Sequence, residues 1–129
     1  MARVGRLATV DTHGLPHVVP VCFAVHGERV VSVVDDKPKR RVWLKRLDNV
    51  AATGVAELLV DHYADDDWTA LWWVRLRGTG EVLTEGDEHA LAVDLLVAKY
   101  EQYRARRPGG AVLAIAVDRV RHWEAAGPA

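Results

Sequence analysis

Apolar residues cluster in six short stretches of this chain, and a helical spacing organises two others. Val4 to Val10 is apolar and runs into Asp11-Thr12-His13-Gly14, residues that suit a hairpin turn. His17 to Val25 follows, interrupted by Pro20. Proline cannot donate to a sheet ladder, so this strand belongs at an edge or a bulge, where its backbone is open to a ligand. His26-Gly27-Glu28 reads as a second tight turn and Arg29 to Val34 as a third strand. Three strands joined by two hairpins predict an antiparallel meander.

Arg40, Trp43, Leu44 and Leu47 fall at i, i+3, i+4 and i+7, the face of a helix that Pro38 would open and Asp48-Asn49 would stop. Gly54 precedes a fourth strand, Val55 to Tyr63. In a fifth, Thr69 to Thr84, Trp72, Val74, Leu76 and Val82 share a core-facing side, while Trp73, Arg75 and Arg77 share the other. Glu88 to Tyr103 is predicted helical, with Leu91, Leu95 and Ala98 buried and Lys99, Glu101 and Gln102 outside. After a polar Gly/Pro loop, Arg104 to Gly110, a last strand from Ala111 to Arg119 continues towards His122-Trp123. With no internal repeat, residues 1–129 read as a single domain of the α+β class, a six-stranded antiparallel split β-barrel with two or so helices.

Charge changes the picture most between the third strand and the first helix. Six of the ten residues from Lys37 to Arg46 are Lys or Arg, in a chain whose formal net charge is −1. Such a local positive site on an otherwise acidic protein suits a small anionic ligand better than a broad nucleic-acid footprint. Lys37, Lys39 and Arg41 cluster where helical N–H groups point outward, and cations there oppose the macrodipole unless an anion such as a phosphate lies between them. The alternative is a solvated basic face, with Asp35 and Asp36 supplying the negative charge; local chemistry leaves the two readings about even. Trp73, Arg75 and Arg77 similarly suit an acidic ligand or a partner subunit, the alternative being a solvent-facing row in which arginine stems cover the indole.

The single cysteine, Cys22, reads as a small core residue, and an internal disulfide is excluded. His13 and His17 are four apart, but Gly14 and Pro16 forbid the helix that would make them a metal pair. No G-x-S-x-G, Cys-x-x-Cys or phosphate loop occurs. Asp35-Asp36 and Asp65-Asp66-Asp67 read as turn caps. The residues therefore describe a binding site without an evident acid, base or nucleophile, as expected where a cofactor carries the reaction. No signal peptide and no apolar run near ~18 residues is present, so the cytoplasm is the expected compartment and no membrane partner is expected.

The runs Gly5-Arg6-Leu7-Ala8-Thr9-Val10-Asp11 and Gly14-Leu15-Pro16-His17-Val18-Val19-Pro20-Val21 resemble the opening of the pyridoxamine-phosphate-oxidase-like split-barrel proteins, which bind flavins and deazaflavins. Asp35-Asp36-Lys37-Pro38-Lys39-Arg40, Asp61-His62-Tyr63, Leu71-Trp72-Trp73-Val74-Arg75 and Lys99-Tyr100 resemble a mycobacterial-type branch assigned to coenzyme F420. Relatives carry a short helix before the first strand, which this chain reaches almost at once. The resemblance implies a homodimer with its cofactor between subunits. It places Val19, Pro20 and Val21 against the tricyclic ring, Lys37, Lys39, Arg40 and Arg41 on the phosphate, and Trp73, Arg75 and Trp123 across the interface.

The expectation is an F420-dependent oxidoreductase passing a hydride between the deazaflavin ring and a small electron-poor organic substrate. FMN in the same fold is the first alternative, and a non-catalytic cofactor carrier is one from another class. A nucleic-acid-binding barrel is disfavoured, because Trp43 alone interleaves with the basic run.

Overall fold

A computed structural model describes residues 2–34 and 44–125. Seven strands and three helices follow in the order β1 (Gly5–Val10), β2 (Pro16–Val21), β3 (Ala24–His26), β4 (Arg29–Val33), α1 (Lys45–Thr53), β5 (Val55–His62), β6 (Trp72–Leu83), α2 (Asp87–Lys99), α3 (Glu101–Ala105) and β7 (Val112–Glu124). All strands join one antiparallel sheet, ordered β2-β1-β5-β6-β7-β4-β3. Its two edge strands, β2 and β3, are separated in sequence by Cys22 and Phe23 alone, so the sheet must curl until its edges approach.

Two expectations are corrected here. The stretch His17 to Val25 is two strands, which raises the count from six to seven, and the first strands do not form a meander. Both hairpins exist, but β4 pairs with β7 rather than with β2. Val21, Phe23 and Ala24 are all buried. Val21 and Phe23 enter the inner core cluster while Cys22 and Ala24 pack with the other, so the side chains keep their alternation through the corner where the chain leaves one sheet edge for the other.

The turns follow their local chemistry. Asp11 Oδ1 accepts from the backbone N–H of His13 (2.9 Å) and Leu15 (3.0 Å), and Gly14 takes a positive φ of 78°. Those backbone hydrogen bonds, that of Leu15 foremost, hold the Asp11 carboxyl below its ordinary pKa. α1 runs past the expected stop at Asp48-Asn49 and ends at Gly54, which is left-handed with φ 68°. Asn49 is buried because its side-chain amide donates to Thr9 Oγ1 at 3.0 Å, a tertiary use rather than a helix signal.

The core has two parts. Leu7, Phe23, Leu47, Val50, Leu58 and Ile115 belong to a cluster inside the curl, closed by α1. Val31, Val33, Val93, Leu96, Val112 and Ala114 form a second beneath α2. β4 and the first half of β7 feed alternate residues to each cluster, which is why both read as nearly unbroken apolar runs.

The helix phase is a further correction. α2 buries Ala92, Val93, Leu96 and the following Tyr100, while Leu91 is 49% exposed and Ala98 is exposed. Tyr100 sets this rotation, because its hydroxyl reaches the corner at Phe23 and its backbone ends α2. Lys99, expected outside, is half-buried.

β6 and β7 stay paired from Trp72↔Glu124 to Leu83↔Val112, with a bulge between Arg77 and Gly78. A Cβ at Gly78 would lie 1.9 Å from the Ala116 carbonyl oxygen. Gly78→Ala is therefore expected to cost about 3 kcal/mol or more, or to prevent folding, in urea denaturation. A wild-type midpoint would show that the two strands are not in this register.

Candidate functional site

Where β2 turns the corner, a cleft of about 200 Å³ opens, lined by Val4, Pro20, Val21, Cys22, Ser32, Val33, Arg46 and Tyr103. Its position follows from topology. β2 is an edge strand with one neighbour, β4 lies across the curl, and α1 begins nearby at Lys45. The wall is apolar at Val4, Pro20 and Val21, with polar groups at Ser32, Cys22 and Arg46. Ser32–Val33 and Arg46 also bracket, in sequence, the run that carries the predicted phosphate cations.

The expected cofactor residues fall into three groups. Pro20 and Val21 line the cleft, while the Val19 side chain packs inward against the core opposite Leu7. Trp73, Arg75 and Trp123 come together elsewhere: Trp73 pairs with Trp123 across β6 and β7, and the Arg75 guanidinium lies 4.8 Å from the Trp73 ring centre. Lys37, Lys39, Arg40 and Arg41 lie outside the described residues, as do Asp35, Asp36, Pro38 and Trp43.

Pro20 and Arg75 nonetheless share the outer face of the sheet. Pro20, Arg6, Leu59, Arg75 and Arg121 form one row of directly opposed residues on β2, β1, β5, β6 and β7. At ~4.8 Å per strand, Pro20 and Arg75 stand ~14 Å apart. This face exposes Val18 (61%), Val55 (49%) and Trp123 (46%), so it keeps substantial apolar surface open.

Sequence reasoning missed Val4, Ser32, Val33, Arg46 and Tyr103 as cleft residues, and it placed Cys22 in the core. Arg46 carried a signal, being the last cation of the basic run. Cys22 carried none, because only the corner exposes one side of it.

The corner that shapes the cleft is held from α2. The Tyr100 hydroxyl accepts the Phe23 N–H at 2.9 Å and lies 2.8 Å from the Arg3 carbonyl and 2.9 Å from that of Phe23. Lys99 Nζ donates to the Phe23 carbonyl at 2.7 Å and sits 3.7 Å from the Phe23 ring centre. Burial, followed by the Arg3 charge, lowers the Lys99 pKa, whereas burial raises that of Tyr100. Among the described residues no group of three metal-binding side chains occurs, and no helix is long and apolar enough to cross a membrane.

With this fold and cleft in view, the class is defined by comparison. Residues 1–124 match the family of pyridoxamine 5'-phosphate oxidase, and the chain belongs to it. It is 34% identical over 82 residues to a 5a,11a-dehydrotetracycline/5a,11a-dehydrooxytetracycline reductase of Streptomyces rimosus, a match covering 64% of this chain and 56% of the reductase. The chain thus spans just over half of that relative's length. Among solved structures it is similar to a heme binding protein from Mycobacterium smegmatis, with TM-score 0.74 and 27% identity over 95% of this chain and 49% of that one. It also shares its fold with an FAD-binding protein from Mesorhizobium loti, with TM-score 0.66 and 22% identity over 93% and 84% of the two chains.

A pH test of the corner follows. Tyr100 is raised above its ordinary 10.0, so the stability it contributes is complete below pH 10.0 and is lost as pH rises through its higher folded value. Lys99 acts in the opposite sense in the alkaline range but is common to both proteins under comparison. Tyr100→Phe should cost about 1–3 kcal/mol at neutral pH, and its stability should fall less steeply than the wild type's above pH 10.0. Parallel alkaline slopes in denaturant titrations would contradict the assignment.

Proposed function

We propose that the protein is an oxidoreductase dependent on coenzyme F420, transferring a hydride between the deazaflavin ring and a small electron-poor organic substrate. The observation that carries this is the cleft at the β2 corner, bordered in sequence by the basic run, in a chain whose family and reductase relative favour redox chemistry. The donors present fit such a group in part. Pro20 and Val21 give the cleft an apolar lining, Ser32 and Arg46 offer polar contacts, and Lys37, Lys39, Arg40 and Arg41 are assigned to the phosphate from the sequence.

When bound, the reduced deazaflavin supplies a hydride from C5. The polypeptide's task would be orientation: Pro20 and Val21 of β2 would hold the ring, and the cations would offset the negative charge of the phosphate and acidic tail. No side chain of the cleft is assigned as a proton donor.

A cleft of about 200 Å³ is smaller than the ~300–1,000 Å³ of ordinary small-molecule sites. A second copy of the chain completes it in this reading, its Trp73, Arg75 and Trp123 contributing across a homodimer interface on the exposed outer face. FMN in the same site is the alternative of equal chemistry, and non-catalytic carriage of either cofactor is the alternative of another class. The heme-binding neighbour favours a further reading in which the cleft takes a porphyrin.

Fluorescence and absorbance titrations with oxidised F420, FMN and haemin separate these readings. F420 should bind most tightly, and Lys37→Ala/Lys39→Ala should weaken it about tenfold or more, because each charge-assisted contact contributes ~1.5–3 kcal/mol. Tighter FMN binding would replace the cofactor, and tight haemin binding without F420 binding would reject the oxidoreductase reading. Binding without turnover of any electron acceptor would leave a carrier.

A further inference from the structure

The proposed cofactor site leaves most of one charged cluster without a role. On the outer face Arg75 stands directly opposite Arg121, and Arg77 directly opposite Arg119, two like-charged cross-strand pairs of the kind that destabilises a sheet. Glu57 is the one carboxylate lining this cluster, 3.9 Å from Arg75 Nε and 3.3 Å from an Arg77 terminal nitrogen, so four positive charges face one negative. Among the described residues Arg119 and Arg121 have no carboxylate within ion-pair distance. The surface that a second copy would lay against them supplies none. β2 presents Pro16, Val18 and Pro20 outward, and on the adjoining strands Glu57 is engaged as above while Asp61 is paired with Arg6 at 3.5 Å. Covering guanidinium groups with an apolar strand and no counter-charge is costly. Among the described residues, then, the interface is short of an anion, and a ligand that brings one removes the cost.

We infer that this anion belongs to the substrate: the molecule stacked on the ring carries a carboxylate, held by Arg119 and Arg121 of the partner subunit. The inference rests on the homodimer and cofactor reading above and adds to it the class of substrate. In that reading the partner's Trp73 and the partner's Arg75 lie beside Pro20, at the ring. Strand geometry then puts the partner's Arg121 ~4.8 Å beyond the partner's Arg75, and the row of Arg77 and Arg119 ~7 Å further along the strands. The cofactor's phosphate and acidic tail are assigned to the basic run of the first copy, which joins the cleft through Val33 and Arg46, on the wall opposite β2. The arginines therefore lie on the ring side, where an acceptor has to stack to receive a hydride. Glu57 engages Arg75 and Arg77, and Arg75 also lies 4.8 Å from the Trp73 ring centre, so Arg119 and Arg121 are the pair left to take the ligand. Their planar forks match the two oxygens of a carboxylate.

Calorimetric titration of the full chain with 4-nitrobenzoate and its uncharged amide, 4-nitrobenzamide, tests this, first with saturating F420 and then without cofactor. The acid should bind at least about tenfold more tightly than the amide. Arg119→Gln/Arg121→Gln should erase that preference and leave amide binding unchanged, while Arg119→Lys/Arg121→Lys should keep part of it. Both positions are exposed in the single chain, so the urea midpoint of either variant should equal or exceed the wild type's. Failure of F420 to bind, with the preference for the acid intact in the cofactor-free protein, would reject the cofactor and support the arginine site. Equal binding of acid and amide, no binding of the acid, a preference that survives in Arg119→Gln/Arg121→Gln, or a chain that sediments as a monomer with the acid present would each overturn the inference. So would an Arg119→Gln/Arg121→Gln protein that binds F420 more weakly but its tail-free deazaflavin core normally, because the arginines would then hold the cofactor's tail.

Discussion

Between Val21 and Ala24 the chain passes from one edge of the sheet to the other, and its backbone there has no strand to pair with. The Phe23 N–H is buried at this point, and leaving such a donor unsatisfied costs about 1–3 kcal/mol. Tyr100 and Lys99, at the end of α2, supply the missing partners for the Phe23 amide and carbonyl. Much else depends on that closure. It fixes the rotation of α2, accompanies the placement of β4 beside β7 with β3 at the outer edge, and leaves the exit of β2 facing Ser32 and Val33 across a cleft.

The same curl divides the sheet's surfaces by role. Its inner face is filled by α1 and the first core cluster, and α2 covers the far side of β4 and β7, so both helices are spent on stability. Among the described residues no helix packs on the outer face of β1, β5, β6 and the end of β7. Apolar side chains, a tryptophan pair and the arginines Arg75, Arg77, Arg119 and Arg121 share this surface.

Much of the fold was legible because local rules govern it. Asp11 to Gly14 announced its hairpin, Pro20 announced an edge, and Trp73, Arg75 and Arg77 alternated against Trp72 and Leu76 as the structure places them. The break at Cys22-Phe23 was not legible, since an apolar run without turn residues reads as one strand and only tertiary closure splits it. The phase of α2 was lost for a related reason. Leu91 and Leu95 outrank Ala92 and Val93 in hydrophobicity, yet Tyr100 must reach the corner and turns the helix accordingly. Of the candidate site, the strand carrying Pro20 and Val21 was identified from its proline. Arg46, Ser32 and Tyr103 join it only through the fold. Arg119, Arg121 and Trp123 carried a period-two signature that gains meaning once β7 is aligned with β6.

Cys22 offers a direct view of whether the corner cleft holds the redox cofactor, because the chain's single thiol lines it. The decisive measurement is the rate at which a chromogenic disulfide reagent modifies Cys22, with and without saturating F420. Occupancy of the cleft predicts that bound cofactor slows the reaction by about tenfold or more, by covering the thiol. An unchanged rate, with F420 demonstrably bound, would place the cofactor elsewhere and contradict the account.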